Sequence, residues 1–130
     1  MNAQAKTPPA HYELSFRTIA MPADTNYNGD IFGGWLLAQM DIAGGNYAFQ
    51  QAKGRVATVG IEAMSFHLPV YVGDEVSCYC NACRIGTTSI TVHIETWVRR
   101  HKDSQVVKVT EGSFIFVALD ANGKKRKISE

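Results

Sequence analysis

Long apolar stretches are missing from this chain. Its longest runs without a formal charge, Ile42 to Ala52 and Ala63 to Gly73, still contain polar side chains. They fall well short of the ~20 apolar residues that a membrane-spanning helix requires, so no transmembrane helix is expected. A surplus of either charge is missing too. Thirteen basic and twelve acidic side chains leave a formal net charge of +1, which gives no reason to expect nucleic acid or a membrane surface as the main partner. Any anion site must be local. Cysteine is scarce, and its three copies, Cys78, Cys80 and Cys83, are odd in number and crowd together, a poor framework for disulfides. They are expected to be free thiols, and without a fourth ligand at suitable spacing no metal site is expected. Linkers, repeats and low-complexity tracts are also lacking, which points to one domain, long enough at 130 residues to bury well over half of its unfolded surface. The segment Met1 to His11 is polar and proline-bearing without the apolar core of a secretory signal. It reads as a disordered leader (1–11) of a cytoplasmic protein, before a single domain over 12–122 and a basic tail over 123–130.

What is present is a long apolar segment with one acid in it. Gly34 to Gln51 has the spacing of a helix, closed by Lys53-Gly54 with Gly54 as the C′ residue. On a helical projection Gln39, Asn46 and Gln50 cluster on one side, whereas Leu37, Asp41, Gly45 and Ala48 fall roughly opposite, which places Asp41 in the apolar face. Beside it, at i+3 and i+4, stand Gly44 and Gly45, each costing about 1 kcal/mol relative to alanine in a helix. Such glycines imply space, either for a close-packed neighbour or for a bound molecule. The expectation here is a substrate site.

Five segments read as strands, approximately Leu14 to Ala20, Val56 to His67, Glu75 to Ile85, Ser89 to Arg100 and Val106 to Leu119. The cleanest alternation sets Ile90, Val92, Ile94, Thr96 and Val98 against Thr91, His93, Glu95, Trp97 and Arg99, a sheet with one covered and one open face. Pro22 to Asp30 is a loop rich in Asp and Asn, with Asn26 and Asn28 as turn formers. The order β-α-β-β-β-β with one long helix is α+β.

The segment Met21-Pro-Ala-Asp-Thr-Asn-Tyr-Asn-Gly-Asp-Ile-Phe-Gly-Gly-Trp35, followed by Gln39-Met-Asp41, resembles the signature of hotdog-fold acyl-CoA thioesterases, specifically the bacterial YciA-type hydrolases. The resemblance continues through Gly54-Arg-Val-Ala-Thr-Val-Gly60, Val72-Gly-Asp74, Glu95-Thr-Trp-Val98 and Phe116-Val-Ala-Leu-Asp120, and so covers nearly the whole chain. It implies a five-stranded antiparallel sheet wrapped around one long central helix. It also implies dimers with a continuous sheet, commonly assembled into hexamers as trimers of dimers, and hydrolysis of acyl-CoA with no cofactor, coenzyme A being part of substrate and product.

Within that resemblance Asp41 is the catalytic acid residue, as general base or as nucleophile. Gly33 and Gly34, at the start of the helix, supply backbone N–H groups for an oxyanion, or else ease a tight turn. Asp30 is a second active-site group or a helix-entry hydrogen-bonding residue. The site is completed across a dimer interface. Arg55, Arg84 and the Gly86-Thr87-Thr88 turn are the first candidates to hold the phosphates of coenzyme A, with Arg99, Arg100 and Lys102 behind them. Phe32, Trp35, Phe49 and Phe66 line an acyl tunnel or belong to the plain core. His67 and His93 fit strand faces better than a catalytic role. The rival reading is a hotdog domain that binds acyl-CoA without hydrolysing it, as a sensor or regulator.

Overall fold

The computed structural model describes residues 7–128. The chain forms β1 (Glu13–Ile19), a 3₁₀ turn (Pro22–Asp24), α1 (Gly33–Ala52), β2 (Val56–Phe66), β3 (Glu75–Ile85), β4 (Ser89–Arg99) and β5 (Val106–Ala118). All strand pairs are antiparallel, in the order β1-β3-β4-β5-β2, and α1 contacts every strand. One long helix lies against a five-stranded antiparallel sheet, the expected α+β arrangement with the expected element bounds shifted by a residue or so. No helix among the described residues is long and apolar enough to cross a membrane.

Helix and sheet meet through a stripe of small and apolar side chains. Leu36, Met40, Ala43, Gly44, Tyr47, Ala48 and Ala52 are the buried residues of α1. Most of them pack on Cys78, Cys80, Ile90, Val92, Ile94, Phe114 and Phe116, the inward-pointing positions of β3, β4 and β5 that period-two alternation dictates. Gly44 lets the helix approach: a Cβ there would stand 2.6 Å from Ile94 Cδ1 and 2.9 Å from Phe116 Cζ. The space predicted beside Asp41 at this glycine is therefore filled by the sheet. Gly45 is looser, since a Cβ added there would lie 3.8 Å from the Phe116 ring. The helix ends at Lys53, itself left-handed (φ 56°), whose N–H bonds to the Phe49 carbonyl. Gly54 follows as the expected C′ residue, its N–H also reaching the Phe49 carbonyl at 3.2 Å.

The outer face of the sheet is less open than alternation suggested. Glu95 and Trp97 point away from α1 yet are buried. Residues 1–6 of the expected leader lie outside the described residues. From Thr7 on, the segment runs near the sheet, where Pro8 lines a small recess with Trp97 and Arg17 and the Tyr12 hydroxyl meets His93 Nδ1 at 2.7 Å. At the other end the basic segment folds back. Leu119 and Lys125 form a β-bridge, Arg126 N–H bonds to the Ala118 carbonyl, and Ile128 N–H bonds to the Thr87 carbonyl.

Candidate active site

Asp41 lies at the margin of the buried stripe of α1, roughly 90° around the helix from its middle. It is half-buried, not sunk in the apolar face as the projection indicated. There the Thr58 hydroxyl, from the edge strand β2, donates a 2.6 Å hydrogen bond to Asp41 Oδ1. One carboxylate oxygen is thereby oriented and the other is left for water or a substrate carbonyl. No pattern in the sequence singled out Thr58. β2 presents apolar and polar residues outward alike, and two irregularities in its pairing, between Thr58 and Gly60 and between Glu62 and Ser65, break the simple alternation.

The helix start supplies donors. Phe32, the N-cap, makes no side-chain cap, and its carbonyl receives the N–H groups of Trp35 and Leu36. The N–H groups of Gly33 and Gly34 precede the first turn of the ladder and stand at the positive end of the helix dipole. Gly33 also borders an open recess of about 500 Å³ lined by Ile31, Leu36, Phe66, His67, Leu68, Pro69 and Val70. Of the aromatic residues considered for an acyl tunnel, Phe66 lines this recess. Phe32 and Phe49 are exposed, and Trp35 packs in the core with Leu36 and Val76. Asp41 is eight residues along α1 from Gly33, about 12 Å at 1.5 Å per residue. Within one chain the acid and the helix-start amides do not converge.

Asp30 is exposed and lies before the N-cap, so it is not the helix cap. Its own N–H is held by Asn26 Oδ1, which also takes the Asn28 N–H. Asn26 is the turn former expected of it.

The basic candidates separate into two groups. Arg55 and the Gly86-Thr87-Thr88 turn share one end of the sheet, where the Arg55 carbonyl receives Leu119 N–H and the Thr88 carbonyl receives Ala118 N–H. Exposed Arg84 is at the same end. Arg126, from the basic tail, joins them: its Nε donates to the Leu119 carbonyl at 2.9 Å and its Nη2 to the Arg55 carbonyl at 3.5 Å. Gly54 makes room for it, since a Cβ there would lie 2.7 Å from Arg126 Nη2. Arg99 and Arg100 stand at the opposite end of β4, roughly 35 Å away for eleven extended residues. They are paired with Glu75 and Asp74 respectively, so they do not complete the same pocket in one chain. His67 and His93 both reach Glu111; His93 alternates with inward-pointing Ile94 and so lies on the outer face, whereas His67 also borders the recess at Gly33.

Comparison with known proteins decides what this architecture is. The family model of the thioesterase superfamily matches residues 28–108, from the loop before α1 into β5.

The chain belongs to the thioesterase superfamily.

Within it the chain resembles the YciA-type hydrolases. The acyl-CoA thioester hydrolase YciA of Salmonella typhimurium is 53% identical over 119 residues, covering 89% of this chain and 90% of that protein. Its counterpart in Escherichia coli K12 is 50% identical over the same coverage. Among solved structures, a hexameric broad specificity acyl-coenzyme A thioesterase superposes with a TM-score of 0.89 at 44% identity, over 95% of this chain and 85% of that one. A hexameric thioesterase from Yersinia pestis gives 0.88 at 49%, over 94% and 99%. The α+β sheet-and-helix fold is thus the hotdog fold of this thioesterase family.

Proposed function

We propose that this chain hydrolyses the thioester of acyl-CoA to a free fatty acid and coenzyme A, with Asp41 as general base or nucleophile. The observation that carries this reading is the Asp41 carboxylate, held at one oxygen by Thr58 beside an unpaired strand edge. A second copy completes the site. β2 is an edge strand, and Val59, Ile61, Ile42 and Phe49 expose large apolar side chains on it and on the adjoining helix. A contiguous exposed apolar surface next to an open edge invites a partner. Pairing two copies along β2 into a continuous sheet covers both. In the dimer the Gly33 and Gly34 amides of one subunit serve as the oxyanion hole for the carbonyl facing Asp41 of the other, and the recess bordered by Gly33 and Phe66 takes the start of the acyl chain. Asp30 lies close to the helix entry, where it orients water. Arg55, Arg84 and Gly86-Thr87-Thr88 hold the phosphates, now with Arg126. Three dimers form the hexamer that the relatives' structures display.

The reaction needs no cofactor: the carboxylate either takes a proton from water as that water attacks the carbonyl, or attacks the carbonyl itself to give an anhydride that water then hydrolyses to the free acid; the amides take the developing charge, and the coenzyme sulfur leaves and takes up the proton. Three free cysteines, two of them buried, fit the reducing cytoplasm. The test is thiol release from an acyl-CoA chain-length series by wild type, D41A and D41N. Turnover by wild type and its loss in both variants, with the assembly intact by light scattering, is the expected result. Retained turnover in D41N removes Asp41 from the mechanism. Binding without turnover by wild type makes the chain an acyl-CoA sensor instead.

A further inference from the structure

The outer face of the sheet carries a polar cluster that thioester hydrolysis leaves unused. Glu95 on β4 and Glu111 on β5 stand directly opposite one another in the strand register. Like charges in that relation repel, and Glu95 is only 7% exposed, so the pair calls for a cation. Lys108 supplies part of one, its Nζ 3.1 Å from Glu111 Oε2 and 3.9 Å from Glu95 Oε2. His93 Nε2 lies 3.3 Å from Glu111 Oε1. A donor atom from each of His93, Glu95 and Glu111 falls within 4.8 Å of the other two, a span that a small inward movement reduces to the ~3.4 Å separating ligands around a tetrahedral ion with bonds of about 2.1 Å.

We propose that His93, Glu95 and Glu111, with a water molecule as fourth ligand, form a binding site for a divalent first-row transition ion of the zinc and cobalt class on the outer face of the sheet. The donor set of one imidazole and two carboxylates suits such an ion and balances its charge. Each ligand also has the outer partner that metal ligands require: Tyr12 hydroxyl at His93 Nδ1, 2.7 Å; Trp97 Nε1–H donating to Glu95 Oε1, 2.9 Å; and His67 Nε2 at Glu111 Oε2, 2.9 Å. When the ion binds, the Lys108 ammonium leaves the carboxylates for water, which its one-third-exposed side chain can reach. His93 then presents a bare Nε2, its remaining proton on Nδ1 donated to the Tyr12 oxygen. The bound ion ties β4 and β5 to the segment preceding β1 through Tyr12. The expectation of no metal considered only the cysteines, and β4–β5 register is what assembles this second set.

The full-length assembled protein, freed of metal by chelation, is titrated with cobalt(II) and, separately, zinc(II). Expected are saturable uptake of one ion per chain by calorimetry, a visible cobalt spectrum of nitrogen and oxygen ligation, quenching of Trp97 fluorescence by cobalt, and a higher melting temperature with zinc. H93Q and E111Q each weaken uptake at least tenfold, K108M tightens it several-fold by removing the competing ammonium, and C83S leaves it unchanged. Absence of saturable uptake, uptake indifferent to both H93Q and E111Q, or loss in C83S overturns the site. If E111Q does not fold, H93Q and K108M shift affinity in opposite directions and decide the matter. Because none of these readouts is hydrolysis, they are independent of the role given to Asp41.

Discussion

The Thr58 hydroxyl donates a 2.6 Å hydrogen bond to Asp41 Oδ1 and so links the helix to the edge strand of the sheet. A hydrogen bond to a charged group contributes about 1.5–3 kcal/mol. In the proposed mechanism it fixes which carboxylate oxygen is free to face the substrate. Replacing Thr58 with Val keeps the side-chain shape and removes the donor. The expected outcome is a fall in kcat of roughly ten- to a hundred-fold with KM changed less than threefold, while T58S retains most activity. A T58V enzyme with unchanged kcat would mean that Asp41 needs no such orientation.

Gly44 is set by packing. An added methyl overlaps Ile94 Cδ1 and the Phe116 ring, and overpacking of a well-filled core costs about 1–3 kcal/mol. Alanine's helix propensity returns about 1 kcal/mol of that. G44A is therefore expected to be less stable than wild type by about 1 kcal/mol in chemical denaturation, and I94V, which removes the Ile94 Cδ1 methyl, to restore part of the loss in the double variant. Stabilisation by G44A would show that the helix rides farther from the sheet.

The elements were legible in the sequence because their determinants are local. Alternation in Ser89–Arg99, the apolar spacing of α1, and the Asn26 turn each depend on neighbours a few residues apart. What stayed hidden depends on which distant residues meet. Gly44 marked a close approach, but the sequence did not say that Ile94 and Phe116 occupy it. Glu95 and Trp97 read as open-face residues. They are buried because Trp97 caps Glu95, Lys108 reaches over from β5, and Pro8 adjoins Trp97, the last two brought there by the β4–β5 register and by the path of the segment before β1. For the proposed site, Asp41 and the Gly33-Gly34 pair stood out by type and position, whereas Thr58 and Arg126 had no distinguishing neighbours. The basic candidates could not be sorted into two ends of the sheet until strand lengths were in place.

Arg100 and Asp74 form a nearly enclosed ion pair. The Asp74 carboxylate is 2% exposed, and it accepts from Arg100 Nη1 at 2.7 Å, Tyr71 N–H at 2.9 Å and His101 N–H at 3.2 Å. Arg100 also donates to the Pro69 carbonyl and lies over the Tyr71 ring. Removing one member strands a buried charge, at a cost of about 3–5 kcal/mol. R100M is expected to lose about 3 kcal/mol in urea unfolding. A change under about 1 kcal/mol, the range of an exposed pair, would show that water reaches Asp74 and replaces the guanidinium.

Alkaline stability follows from two thiols. Burial raises the Cys78 pKa to about 11 and the Cys80 pKa to about 12, from an ordinary value of 9.0. Folding therefore favours the protonated thiols. Their contribution is fully present below about pH 9, where the unfolded chain also keeps its protons, and is lost as pH rises toward the folded values. Above pH 9 the unfolded state releases up to two more protons than the folded state, a slope approaching about 2.7 kcal/mol per pH unit. The double variant C78A/C80A is expected to start less stable at pH 7, from lost packing, and to show a shallower decline between pH 9 and 11 in urea midpoints. At pH 8 a thiol reagent should modify exposed Cys83 quickly and the two buried cysteines only on unfolding. Parallel alkaline profiles for variant and wild type would assign the loss of stability to other groups.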